Sequence, residues 1–225
     1  MLFIAPTINN DIRWSTYSAD LSVRLAGGVV VPATAYYWGF DINGGIGYLF
    51  WYDNNLNVYY KTTTDGINWS PEQFYNIIWP QPFDTNGVGW KQMAVTDAGN
   101  PILVFEVGDG SGIYPPRCKI YVSIGSGIPC IEVGNTAIDA LNFYPTIATG
   151  GNYVVVLFGQ PRSGAGLYRF WDIYYNYSVD NGLSWHTPRS LTGNITAHNN
   201  CLWQIAKRLD ATGAGQFFFA FGSSI

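Results

Sequence analysis

One short pattern recurs along this chain and limits what it can fold into: a β-prone strand running into a tight polar turn. Its fullest copy is Tyr175-Asn-Tyr-Ser-Val-Asp-Asn-Gly-Leu-Ser-Trp185. Tyr and Val favour extended chain, and Asp-Asn-Gly is a strong hairpin signal. Residues 11–20, 57–69 and 117–126 share its shape. With Asp20, Asp65, Ser126 and Asp180 taken as equivalent, the steps are 45, 61 and 54 residues. Repeats of that length suit four-stranded propeller blades with some loops lengthened.

A second series supports the first. Residues 48–53, 102–107, 153–158 and 217–221 are apolar, β-prone and similarly spaced. The first three each precede a member of the first series. The fourth ends the chain, whereas the first member of the first series begins it. Strands near 202–208 and 216–221 are therefore expected to be completed by strands near 12–18 and 21–25, closing a ring and removing free sheet edges. The expected fold is all-β: a single domain over 1–225, a small β-propeller of four blades of four antiparallel strands. Residues 23–32 leave an alternative, because a hairpin within one blade there shifts the count toward five or leaves a ring that closes by oligomerisation.

Composition agrees. Hydrophobic residues make up 48% of the 225 and aromatics 17%, enough for a large core, while 26 Gly and 12 Pro imply many turns. Charged residues are only 12%, well below the usual quarter. No long helical period occurs, and no apolar run is long enough for a membrane span. The net charge of −4, with no Lys/Arg cluster, disfavours a nucleic-acid partner. Residues 1–6 lack a basic region and are too short an apolar run for a signal peptide. The expectation is either no secretion by that route or a sequence that begins after cleavage. Cys118, Cys130 and Cys201 are expected to be free and structural. A hairpin turning near Ser126 places Cys118 opposite about residue 134, out of register with Cys130. No CxxC or paired-His spacing calls for zinc or another cofactor.

The strand-turn copies resemble the Asp-box of the sialidase-like (BNR repeat) β-propeller superfamily. Ser178 to Trp185 matches Ser/Thr-x-Asp-x-Gly-x-x-Trp in full, and residues 63–69 match a version one residue shorter. Residues 18–20 are a degenerate copy, and the copy near Ser126 lacks the Asp. Residues 91–107 are also similar to a stretch of sialidase-like exo-glycosidases in which a Glu ends the second strand. The resemblance covers about half of the chain. It implies that Asp65, Trp69, Ser178, Asp180, Gly182 and Trp185 are structural, on turns between third and fourth strands away from the ligand face. There the Asp accepts backbone N–H bonds and the Trp covers the blade edge. The box specifies fold far better than activity.

If the box turns mark one face, the connections 78–90, 107–116, 134–144, 159–171 and 193–200 mark the other. The box-face turns are mostly short, with 38–46 an exception. Long loops on a rigid ring are where binding residues collect. The candidate ligand-binding set is Trp79, Trp90, Asp109, Tyr114, Tyr144, Arg162, Tyr168, Arg169 and His198, with Phe83, Asp84, Asp139, Phe143 and Trp171 on the same connections. Aromatic faces beside polar groups suit a sugar, whose C–H faces stack on rings while its hydroxyls take hydrogen bonds. The competing reading has these aromatics filling gaps between blades or forming a protein contact.

Glycosidases generally need two carboxyl groups across the scissile bond. Of the three Glu, Glu72 and Glu132 fall on outer strands, and only Glu106 corresponds to a catalytic position of the resembled family. Its partner would be Asp84, Asp109 or Asp139. The Arg-Ile-Pro signature of true sialidases is absent. His186 belongs on the surface, and no Ser or Cys motif accompanies His198 to make a triad. Asn176 and Asn194 begin glycosylation sequons.

The sequence favours a non-enzymatic recognition module, binding a surface glycan or partner protein through its loop-rich face in an extracellular or virion-surface setting. The alternatives are an exo-acting glycoside hydrolase using Glu106, and a structural propeller whose aromatic face is buried in a homo-oligomer.

Overall fold

Short apolar runs broken by Gly, Asn and Asp give a chain whose regular elements, among the described residues, are all β-strands. The computed structural model describes residues 2–6, 11–18, 20–31, 38–53, 55–79, 91–108, 118–134, 143–161, 171–192, 199–205 and 219–224. No helix among them is long and apolar enough to cross a membrane. The chain divides into two compact units, 1–76 and 77–225.

The first unit holds two antiparallel sheets. Strands β1 (Leu2–Pro6), β2 (Ile12–Tyr17) and β3 (Arg24–Val31) form one, and β4 (Trp38–Asn43), β5 (Ile46–Tyr52), β6 (Val58–Thr63) and β7 (Gln73–Tyr75) the other. The strand expected at 21–25 runs over 24–31, and β1, which the sequence reading did not place, takes the other edge of β2. The long turn expected at 38–46 is instead strand β4 followed by a tight turn. Gly44 and Gly45, at φ 58° and 80°, supply the positive dihedrals that let Asn43 pair directly with Ile46. Ile12, Trp14, Val30 and Val31 bury against Leu49 and Trp51, joining the two sheets of this unit.

The second unit repeats the four-stranded plan twice. Its sheets are β8 (Lys91–Val95), β9 (Pro101–Gly108), β10 (Cys118–Ser123) and β11 (Ile131–Glu132), then β12 (Phe143–Gly150), β13 (Tyr153–Pro161), β14 (Trp171–Ser178) and β15 (Arg189–Ser190). A two-stranded sheet of β16 (Asn199–Ile205) and β17 (Phe219–Ser224) follows. The strands expected to close the ring thus form a three-stranded sheet in the first unit and a two-stranded sheet in the second. In each four-stranded sheet the two sequence series are the second and third strands: β5 and β6, β9 and β10, β13 and β14.

First strands of successive sheets lie side by side, β8 against β12 and β12 against β16. Hydrogen bonds between described residues join the β8 and β12 regions: Thr146 Oγ1 donates to Gln92 Oε1 at 2.7 Å, Thr149 Oγ1 to the Val95 carbonyl at 2.7 Å, and Gly151 N–H to Asp97 Oδ2 at 2.7 Å. Each spans 54 residues, the step between Ser126 and Asp180 in the sequence. The sequence repeat is therefore also the register in which adjacent sheets meet. Behind these bonds, Ile102, Val104, Ile120 and Val122 of one sheet pack with Ile147, Val154, Val156 and Phe158 of the next. At about 1.5–3 kcal/mol per buried aliphatic or aromatic side chain, against about 1 kcal/mol per hydrogen bond, the apolar seam dominates the joint.

The recurrent turns are built from side-chain oxygens. Asp180 Oδ1 accepts from Ser184 N–H at 2.9 Å and from Ser178 Oγ at 2.7 Å, while Gly182 N–H donates to Ser178 Oγ at 2.8 Å. Asp65 Oδ1 accepts from the N–H groups of Ile67 and Asn68, both at 2.8 Å, and Asp20 Oδ1 from Ser22 N–H at 3.1 Å. These bonds favour the ionised form. The Ser184 hydroxyl above all holds Asp180 down at about 2, the Ser18 hydroxyl does the same for Asp20, and the Ile67 N–H lowers Asp65. Trp185 Nε1–H donates to the Gly182 carbonyl at 2.9 Å, whereas in the shorter turn the buried Trp69 Nε1–H has no partner among the described residues. Among the described residues Cys118 and Cys130 form no disulfide, and the register Tyr121↔Glu132 holds them out of line with each other. The side chain of Cys201 lies outside the described residues.

Two outcomes are expected. Gly182 has φ 90°, and a Cβ there would meet Ile124 Cγ2 at 3.0 Å. Gly182→Ala should therefore cost about 1–3 kcal/mol in denaturant unfolding. Asp180 has a depressed pKa, so its contribution is present above its ordinary carboxylate range and lost as pH falls through about 2. Asp180→Asn should lower Tm modestly at pH 7, with a difference from wild type that shrinks toward pH 2; a difference independent of pH would contradict this account.

Candidate functional site

The site grows from the far end of β9. Pro101-Ile-Leu-Val-Phe-Glu-Val-Gly108 alternates in the pleat, so Ile102, Val104 and Glu106 point to one face and Leu103, Phe105 and Val107 to the other. The first face is the apolar seam with the next sheet. Glu106 ends that row and is only 8% exposed. In the third strand it stands opposite Ile120, with Cys118 two residues further along on the same face.

Among the described residues, two groups hold the carboxyl. Oε2 of Glu106 accepts the backbone N–H of Tyr144 at 2.9 Å, and the buried Cys118 thiol donates to the same carboxyl. Both favour the ionised form, but desolvation outweighs them and pushes the carboxyl up to about 7. Glu106 is therefore half-neutral near neutral pH, an unusual state for a glutamate and a recurrent one in acid-base catalysis.

The Tyr144 N–H is aimed at Glu106 by an irregularity. The β12–β13 register breaks between Phe143 and Thr146, leaving Tyr144 and Pro145 as a bulge. Tyr144 adopts φ 53°, a left-handed conformation rare for a bulky residue. Its side chain is 53% exposed, and its ring lies 6.1 Å from that of Phe143.

Other polar groups lie on the strands that carry this end. Asp172, buried at the start of β14, pairs across with Gln160 in β13 and accepts from Thr192 Oγ1 at 3.4 Å. Gln92 and Thr146 bond across the first strands. Among the described residues, no group of three or more His, Cys, Asp or Glu side chains is placed to hold a metal ion.

Of the residues selected from sequence, the structure brings Glu106 and Tyr144 together. Trp79 packs edge-on against Phe105, with ring centroids 5.0 Å apart, and Phe105 points to the opposite face of β9 from Glu106. Trp90, Asp109, Tyr114, Arg162, Tyr168, Arg169 and His198 lie outside the described residues, as do Phe83, Asp84 and Asp139. Asp65, Trp69, Ser178, Asp180, Gly182 and Trp185 sit in the turns described above. Glu132 lies on a fourth strand and Glu72 immediately precedes one. His186 is exposed and stacks on Tyr177, with ring centroids 4.1 Å apart. Sequence reasoning missed Cys118 as a partner of Glu106. Pairing the second and third strands would have exposed it, since Cys118 faces Gly108 and so flanks Glu106.

No protein-family profile matches the chain, and no curated protein matches it. Solved structures do. The α-L-arabinanase of Penicillium chrysogenum, solved with arabinobiose, is similar at a TM-score of 0.55 and 11% identity, over 97% of this chain and 74% of that one. The α-L-arabinofuranosidase Arb93A of Fusarium graminearum, solved with an iminosugar inhibitor, is similar at 0.52 and 10% identity, over 97% and 73%. A Hadza microbial sialidase, Hz136, scores 0.48 at 16% identity over 88% of this chain, which spans about half (48%) of its length. At these identities the likeness bears on fold alone, and the fold is an all-β one of the propeller kind.

Proposed function

We propose that this chain acts on carbohydrate as a glycoside hydrolase, with Glu106 as the proton donor at the loop-bearing end of the β8–β11 sheet. One observation carries the reading: a carboxyl raised to about 7 by burial, held at the end of a second strand where long connections leave the sheet. A neutral carboxylic acid of that kind can protonate a leaving glycosidic oxygen and, once ionised, take a proton from an attacking water. A second carboxyl would come from Asp84, Asp109 or Asp139, and its distance from Glu106 would set a retaining or inverting outcome. The likeness to an arabinanase and an arabinofuranosidase supports this reading over a purely non-enzymatic one. In the same reading the turns at 18–22, 63–69 and 178–185 are Asp-box turns that brace the sheets from the opposite end.

A second reading rests on the depth of Glu106. A carboxyl 8% exposed and bonded to the next sheet also serves as a tie between sheets. The loop end would then recognise a glycan or partner protein without turnover, as on a cell or virion surface.

Hydrolysis of arabinobiose and of aryl arabinofuranosides, with a glycan array run in parallel, tests the choice. Under the first reading Glu106→Gln lowers kcat/KM by about 10²–10⁴ while glycan binding survives. The wild-type rate falls as pH rises through about 7, because the acid must be protonated. Glycan binding by both proteins with no turnover by either would establish the second reading instead.

Stability gives an independent prediction. The folded carboxyl titrates at about 7 against an ordinary 4.5, so its contribution is fully present below 4.5 and lost as pH rises through about 7. The shift corresponds to about 3 kcal/mol. Glu106→Gln should therefore gain stability relative to wild type as pH rises from 5 to 8 in urea unfolding; a gap that stays constant would contradict the burial account.

A further inference from the structure

We infer that Tyr144 is the sugar-stacking residue of this site, and that its backbone and side chain do two different jobs at one bulge. The inference rests on the carbohydrate reading above. The backbone N–H holds the Glu106 carboxyl at 2.9 Å, which requires the bulge between Phe143 and Thr146 and the φ of 53°. None of that needs a phenol ring. A glycine takes positive φ without strain and donates the same N–H. A tyrosine there costs conformational strain, and Pro145, buried directly after it, narrows the backbone choices of residue 144 further.

The ring supplies what glycine would lack. It is 53% exposed, on the residue whose own N–H reaches the carboxyl, so the aromatic surface lies within one residue's reach of Glu106. The Phe143 ring lies 6.1 Å from it at a 41° tilt. A half-exposed aromatic ring on the residue whose N–H holds a buried acid suits the apolar C–H face of a sugar whose glycosidic oxygen lies toward the acid. Because one peptide fixes both parts, a movement of the bulge shifts platform and acid together. Tyr144 is thus a specificity-determining residue, and the class of ligand is a sugar ring with one apolar C–H face.

The test compares wild type, Tyr144→Gly and Tyr144→Phe, measuring affinity for arabinobiose and xylobiose by calorimetry and the pH dependence of 4-nitrophenyl arabinofuranoside hydrolysis. Tyr144→Gly should weaken sugar binding by about tenfold or more and raise KM. Tyr144→Phe should stay within about threefold of wild type. The pH midpoint of kcat/KM should be the same in all three proteins, since the N–H bond to Glu106 is retained. Unchanged affinity in Tyr144→Gly overturns the inference, as does a moved pH midpoint, which would mean that the ring acts through the acid. Binding without turnover by the wild type removes the hydrolase reading but leaves the stacking role to be read from affinity. No binding of either sugar by the wild type overturns both.

Discussion

The second unit depends on the seam between neighbouring four-stranded sheets. A sheet made of near-continuous apolar runs, such as Ile102 to Phe105 or Val154 to Phe158, exposes hydrophobic surface on both faces and is stable only when both are covered. The β8–β11 sheet meets this need by offering Ile102, Val104, Ile120 and Val122 to Ile147, Val154, Val156 and Phe158. Register follows from this packing. With a side-chain period of two, a one-residue slip would turn the seam outward. The cross-sheet bonds at a constant 54-residue spacing pin the arrangement that the apolar contacts favour.

That seam also explains how a glutamate comes to sit in a nearly dry place. Glu106 occupies the next inward position after Ile102 and Val104, so pleat alternation alone sends it into the joint. An ionised carboxylate there would be costly, and an N–H with a weak thiol donor offsets only part of that cost. The raised pKa is the consequence. The same geometry accounts for the two functional readings, because a carboxyl that must be satisfied from the next sheet ties the sheets together and stays about half protonated near neutrality.

Much of this was legible in the sequence where a local rule governs. Asp-Asn-Gly at 180–182 and Asp-Gly at 65–66 announced their turns because side-chain oxygens and glycine dihedrals decide them within a few residues. The second and third strands stood out for the same reason, as apolar runs bounded by turn signals. Strand β4 was missed because Trp38-Gly-Phe-Asp-Ile-Asn carries few β-branched residues, and its extended form comes from pairing with β5. Strand β1 was missed because a five-residue apolar start resembles many things until β2 is there to pair with it.

The site was legible only in part, for a related reason. Glu106 could be found because it ends a recognisable strand. Its partners could not, since Tyr144 is 38 residues away and reaches it only through a bulge that no turn signal marks. Cys118 looked like an inert core thiol, and by burial it is one; what gives it a role is the carboxyl that strand register sets beside it. A tertiary hydrogen bond into a strand end leaves no period in the sequence. A bulky residue held at positive φ is the trace it leaves in the structure, and at Tyr144 that trace coincides with the contact that holds the acid.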